Sequence, residues 1–253
     1  MSVWRYFLDH QHEVWPWTWT TVWLAGLPLL AGLALALPLG WLASRRRWSY
    51  APLVSAAGVL YTIPSLVLFV VLPGVLGTGI LDPINVAVAL TVYTVALLVR
   101  VVADGLNSVS PQTLAAASAM GYTDRQRLFA VQLPIAVPVI GAGLRVAAVS
   151  NVSLVSVASL IGVDQLGSLF VRGSQLDTLT PIILGLVFVI ALALIFDALI
   201  LLGVRALTPW ARSDRGAERA QSRTMRTVRR QRASIAGRAA TEERNERGAE
   251  PWG

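Results

Sequence analysis

The chain has 253 residues, of which 55% are hydrophobic and 14% charged, a balance that excludes a water-soluble domain with an ordinary core and points to a membrane protein. Its formal net charge is +7 and it has no cysteine, which excludes disulfides, thiolate chemistry and cysteine metal sites. All 21 basic residues are arginine, so the lysine-containing phosphate loop G-x-x-x-x-G-K-[ST] is absent and this chain does not bind ATP in that way.

Charge-free windows at 14–44, 48–81, 83–99, 146–163 and 178–196 meet or approach the ~20 apolar residues needed to cross ~30 Å of hydrocarbon. Residues 1–18 read as an extracytoplasmic N-terminal segment. Asp9 and Glu13 outweigh Arg5 there, unlike the positive flank of a signal peptide. His10 and His12 have no third ligand type clustered beside them, so a solvated pre-membrane segment is expected, not a metal site. Trp15, Trp17, Trp19 and Trp23 mark an interfacial aromatic belt. The first span, about Trp19–Ala43, ends at Arg45-Arg46-Arg47. By the positive-inside rule this end is cytoplasmic and the N-terminus lies outside. A second span is predicted near Pro52–Leu72, kinked at Pro64 within Y-T-I-P-S-L. After a Gly- and Pro-rich loop, Pro73–Pro83, a third span, about Ile84–Val102, returns to the cytoplasm and ends near Arg100 and Asp104.

Residues 105–133 form a cytoplasmic hairpin. Ala115–Met120 is strong helix former, and Gly121 tolerates the left-handed conformation that ends a helix. Thr123 with Gln126 three residues on fits a capping box. Asp124, Arg125, Gln126 and Arg127 are too polar for a span. Pro134 suits the first turn of the following helix. The local grammar predicts a helix, a sharp bend at Gly121, a short second helix and a return to the membrane at Pro134. Such a short helix on a hairpin is a handle for another protein.

The fourth span is placed at Gly141–Ile161, its preceding turns lying along the interface. An outer loop, Gly162–Thr180, leaves room for a sixth or re-entrant helix. The fifth span, Pro181–Val204, ends at Arg205. This topology puts all the basic regions on one side. The tail, 211–253, holds 11 arginines against 6 acids; it is read as a solvated, largely disordered extension in preference to a surface helix on anionic lipid. It has no aromatic residue before Trp252 on which a base could stack, so nucleic acid is not an expected partner.

Within the fourth span, Ser150, Asn151 and Ser153 are candidates for a polar stripe on a translocation path. Interhelical packing by small and hydroxyl residues is the other reading. Asp197 in the fifth span should face protein or water, since facing lipid at mid-bilayer would cost ~2.5–3.5 kcal/mol. Arg145 and Arg100 are its candidate partners, in a structural ion pair rather than a gate.

The spacing A-A-A-x3-G-x9-V-x-L-P resembles the loop of ATP-binding-cassette importer permeases, in which Glu-Ala-Ala, a glycine and Ile-x-Leu-Pro recur. Ala116, Ala117, Gly121, Val131, Leu133 and Pro134 fall on motif positions; Ala115 stands where the family usually has glutamate. The resemblance implies an all-α, polytopic bundle of the type I importer permease fold. It makes Tyr122–Ala130, with Tyr122, Thr123, Asp124, Arg125 and Gln126, the helix that couples to a separate ATPase subunit, which would hold ATP and Mg. It further implies a second permease subunit, identical or related, and an extracytoplasmic solute-binding protein. Localisation would be a bacterial-type cell membrane, the chain itself having no catalytic residue, metal or cofactor. Thr62–Leu66 (TIPSL), Leu160–Gly167 (LIGVDQLG) and Phe170–Gly173 (FVRG) are similar to the osmoprotectant subgroup, which imports glycine betaine, carnitine, choline or proline. That subgroup usually has L-I-G-x-G-G-L-G, where this chain has Asp164-Gln165. The resemblance covers about residues 4–207, a permease domain at 19–210, and leaves the tail out. Two rivals are weighed against it. An ATP-independent secondary transporter or channel calls for an ionisable relay or inverted repeats, and neither is visible. A scaffold recruiting partners through its tail would lose its function when 211–253 is removed.

Overall fold

The computed structural model describes residues 3–210. Residues up to Leu207 form one unit, which holds every helix described below; a second unit starts at Thr208, and the expectations for the 211–253 tail lie outside the described residues.

The first helix, α1 (Val3–Arg45), has 43 residues, about 65 Å at 1.5 Å per residue, roughly twice the hydrocarbon thickness. It runs on through the expected boundary at residues 18 and 19, with non-helical backbone only at His10. The segment before the span is helical, with His12, Asp9 and Glu13 exposed and one face covered. Val14 is fully enclosed and Tyr6 is buried, while the Phe7 ring packs 5.5 Å from Phe188. Trp15 and Trp19 remain exposed, as an aromatic belt requires.

Helices α2 (Arg47–Thr62) and α3 (Ser65–Leu76) occupy the predicted second span. They meet at 99°, so the expected kink is a break. Proline disfavours helical backbone at the residue before it, and Ile63 is extended at φ −65°, ψ 129°. The Tyr93 hydroxyl donates to the Ile63 carbonyl, one way in which a protein satisfies backbone released by a broken span.

Helix α4 (Pro83–Asn107) is the centre of the bundle, packing on α1, α2, α3 and α7. It begins with Asp82 accepting from the Ile84 N–H at 2.9 Å and Pro83 in its first turn. It is buried on nearly every side, from Val86 and Leu90 to Val102 and Leu106, as expected of a helix apolar all round. α1 approaches it through Gly32, Ala36 and Gly40, spaced by four. A Cβ added at Gly32 would collide with Thr94, and one at Gly40 would lie 2.6 Å from Val102. Small residues at this spacing let two membrane helices approach closely.

Helix α5 (Pro111–Ala119) and the single turn α6 (Asp124–Arg127) form the hairpin. From α6 the chain passes through a π turn, Leu128–Gln132, straight into α7 (Leu133–Val157). The predicted new start at Pro134 is therefore absent. Proline has no N–H and its ring crowds the carbonyl four residues back. The helix accommodates this by widening: the Leu133 N–H reaches the Leu128 carbonyl, five residues back. α7 ends in a 3-10 turn, Ala158–Ile161.

Between α7 and the last helix, α9 (Leu179–Leu207), lies α8 (Ser168–Gln175), whose eight residues are too few for a sixth span. The loop before α8 is buried at Val163 and from Gln165 to Gly167, with Asp164 exposed. Gln165 is fully enclosed; its carbonyl accepts from the Gly167 N–H at 2.6 Å and its amide donates to Ser156 O at 3.3 Å. The Leu166 N–H donates to Thr21 of α1 at 3.1 Å. Arg172 of α8 pairs with Glu13 of α1, which holds its guanidinium pKa above the ordinary value. Among the described residues four helices are long and apolar enough to cross a membrane, or five if the bent α2–α3 pair counts as one span.

Candidate functional site

The hairpin is built by three local devices. Ser110 caps α5, accepting from the Thr113 N–H at 3.1 Å, with Pro111 at the first helical position. At the other end Gly121 takes φ +86°. Its N–H bonds Ser118 O at 3.0 Å and the Tyr122 N–H bonds Ala117 O at 3.2 Å, the paired bonds of a Schellman motif. The capping box forms as the sequence predicts. The Thr123 N–H donates to the Gln126 side chain at 2.9 Å, and the Gln126 N–H to the Thr123 hydroxyl at 3.4 Å.

The hairpin is then tied down by charge. Asp124 accepts from Arg45, at the end of α1, at 2.5 Å and from Arg127 at 3.1 Å. Arg127 also donates to Ser118 of α5 at 2.8 Å. One carboxylate thus joins α1 to α6, and one guanidinium joins α6 to α5. Both Arg45 and Asp124 are about half exposed, so each contact is worth well under the strength of a buried pair. A cleft of about 350 Å³ lies beside this cluster, lined by Trp41, Arg45, Asn107, Asp124, Arg127 and Gln132.

Of the predicted site residues, Ala117 is buried against the hairpin, Leu133 and Pro134 are half-buried, and Ala116, Gly121, Tyr122, Thr123, Asp124, Arg125 and Gln126 are exposed. Met120 at 70% and Phe129 at 66% exposure extend this surface with apolar side chains. Neither was picked out from sequence, because each reads there as an ordinary apolar residue of a helix. Arg45 was read only as part of a topogenic triplet; its pairing with Asp124, 79 residues on, has no local signal.

The three polar residues of α7 are not brought together. Asn151 is 2% exposed; its amide donates to the Thr94 hydroxyl at 3.0 Å and to Ala25 O at 3.3 Å, linking α7, α4 and α1. Ser150 is half-buried, whereas Ser153 is exposed on a face with Val146 and Val149. Deeper in the same helix, Arg145 grips Asp197 of α9 through two hydrogen bonds, 2.6 and 2.8 Å. Arg100, the other candidate, pairs with Asp104 in its own helix.

Residues 19–209 match the family described as binding-protein-dependent transport system inner membrane component. The chain belongs to that family. The permease is 32% identical over 203 residues to the osmoprotectant import permease protein OsmW of Salmonella typhimurium, covering 79% of this chain and 94% of the relative. It is 34% identical over 182 residues to the glycine betaine/carnitine/choline transport system permease protein OpuCD of Bacillus subtilis, covering 72% and 78%. The choline transport system permease protein OpuBD of the same organism is 33% identical, over 77% of this chain and 85% of the relative. Among solved structures, the permease superposes on the inward-facing MetNI methionine ABC transporter with TM-score 0.72 at 21% identity, covering 79% of this chain and 98% of that one. An amino acid ABC transporter gives TM-score 0.63 at 20% identity, over 79% and 96%. At these identities the two structures speak to the fold: the bundle is that of an ABC importer permease. The permease is thus a membrane component of an ATP-binding-cassette importer, not a secondary transporter.

Proposed function

We propose that the permease forms half of the path of an importer for compatible solutes of the glycine betaine, carnitine, choline or proline kind. A second permease subunit, identical or related, would complete the path, and an extracytoplasmic binding protein would deliver the solute. The N-terminus would lie outside and the hairpin in the cytoplasm, where a separate ATPase holding ATP and Mg docks on it. The solute class is supported by three relatives named for osmoprotectants or choline, and the sidedness by the shared position of the basic regions.

The observation that carries the coupling is the build of the hairpin. An exposed, capped turn is continuous with a spanning helix from Asp124 to Ile161 and ion-paired to the end of α1. Movement of the turn therefore has two routes into the bundle, one through α7 and one through Asp124 and Arg45. For ATP to switch access, the ATPase must contact the two states differently. Within α7, Ser150 and Ser153 are the residues proposed for the path, while the Asn151 amide is committed to Thr94 and Ala25.

The test is ATPase activity of the reconstituted complex, stimulated by solute-loaded binding protein, in wild type and Gly121→Asp. A Cβ at Gly121 meets nothing within 4 Å, and aspartate is among the residues that enter the left-handed region at modest cost. The variant adds charge to the docking face together with backbone strain, since φ is +86° there, so only complexes that assemble like wild type are compared. Stimulation in wild type and at least tenfold loss in an assembled variant are expected. Full stimulation in the variant would remove the bend from the coupling mechanism.

A further inference from the structure

A groove of about 420 Å³ opens beside the hairpin, between α1 and the helix that leaves α6. Leu37 and Trp41 line it from α1, Leu128 and Leu133 from the opposite helix, and Leu106 from α4. Leu106 is 3% exposed, so the groove is backed by the core. Its lining is almost wholly apolar, and the one charged group on it is Arg125. Arg45, Arg100, Arg127, Arg145 and Arg172 all have carboxylate partners; Arg125 is exposed and has none among the described residues.

Depth decides what can occupy such a groove. Trp41 and Leu37 lie one and two turns before Arg45, where the span ends, so the apolar lining reaches about 12 Å inward from that level at 1.5 Å per residue. On the topology read from the sequence, the α1 side of the groove, Leu37 and Trp41, belongs to a span, where the neighbour is a lipid chain and not a soluble partner. An apolar slot with an unpaired guanidinium on its lining is complementary to a lipid with a negative headgroup.

We propose that this groove binds one anionic phospholipid, an acyl chain lying against Leu37, Trp41, Leu106, Leu128 and Leu133 and the phosphate meeting Arg125. The lipid then stands between α1 and the helix leaving the hairpin, beside the Asp124–Arg45 contact, and braces the hairpin against the bundle. The bracing rests on the importer reading above; the binding does not.

The test uses the full chain in complex, reconstituted in equal amounts of phosphatidylglycerol and phosphatidylcholine with the same acyl chains, and native mass spectrometry of retained lipid. Wild type should keep phosphatidylglycerol at least fivefold over phosphatidylcholine. Arg125→Ala should abolish the preference, and Leu37→Trp, which fills the slot, should reduce retention of both lipids. A diazirine-labelled phosphatidylglycerol should crosslink to peptides holding 37–41 and 128–133. Equal retention of the two lipids by wild type, unchanged retention in both variants, or crosslinks elsewhere would overturn the proposal. So would an Arg125→Ala protein that retains phosphatidylglycerol yet no longer assembles with its ATPase, since the arginine would then serve the partner subunit. In nanodiscs, solute-stimulated ATPase should be at least twofold higher with phosphatidylglycerol than with phosphatidylcholine alone. Equal stimulation in both sinks the bracing role. No stimulation in either, with phosphatidylglycerol still selectively retained, counts against the importer reading and leaves the lipid site standing.

Discussion

Asn151 shows how a single polar side chain is used inside this bundle. The Thr94 hydroxyl donates to Leu90 O at 2.7 Å, which leaves its oxygen free to accept from the Asn151 amide at 3.0 Å. The same amide reaches Ala25 O, so three helices meet on one group. Interhelical hydrogen bonds in membrane proteins average about 0.6 kcal/mol and reach about 1.7. Asn151→Ala also leaves a cavity beside Thr94 and Ala25, since the side chain is enclosed. The expected loss is about 1–3 kcal/mol, read as a lower melting temperature of the purified protein in detergent. An unchanged melt would show that the amide contributes nothing net. Gln165 is the matching case in the loop before α8, where its enclosed side chain satisfies the Gly167 N–H and Ser156 O. The departure Asp164-Gln165 from the glycine-rich pattern thus has a structural use at its second position.

Among the elements, the contact of α1 with α4 depends on what is absent. Gly32, Ala36 and Gly40 are buried, and the space a larger side chain would need is filled by Thr94 and Val102. Gly40→Leu should push the helices apart at a cost of about 1–3 kcal/mol, seen as a smaller monodisperse peak in size-exclusion chromatography and a lower melting temperature. Wild-type values for both would mean that the contact yields freely. The pairing of α7 with α9 combines close packing of Gly141 on Val204 with one ion pair. Arg145 and Asp197 are 39% and 26% exposed, and removing either leaves the other uncompensated inside a span. Arg145→Asp and Asp197→Arg alone should each sharply reduce the yield of folded protein. The two together should recover most of it, and no recovery would show that the pair's surroundings are tuned to one polarity.

For the whole molecule, the family match stops at residue 209, while the bundle closes at Leu207. The proposed functions of path and coupling therefore require nothing from 211–253. A chain truncated after Trp210 should keep solute-stimulated ATPase and uptake within about twofold of the full chain. A collapse of transport with the complex still assembled would assign the arginine-rich tail a role in the cycle.

The class of the molecule and the build of its hairpin were legible in the residues because their causes are local. Span length follows from runs of apolar side chains, the bend from glycine at positive φ, and the cap from a threonine and a glutamine three residues apart. Gly32-x3-Ala36-x3-Gly40 is equally local in sequence, but only the placement of α4 shows which face of α1 it marks. What the residues did not disclose depends on partners distant in the chain. Pro64 signals a kink, but the 99° angle is held by a tyrosine 29 residues further on. Pro134 reads as a helix start, yet it sits past a π turn in a continuous helix. Ser150, Asn151 and Ser153 are adjacent and similar in polarity, and only the placement of α4 and α1 sends the amide inward and Ser153 out. Asp124 could have met any cation near the hairpin; folding brought it Arg45. Local chemistry was determined by sequence alone. The choice among partners belonged to the tertiary structure, because the energy of a polar contact depends on which group lies within 3 Å of it, and sequence separation does not report that distance.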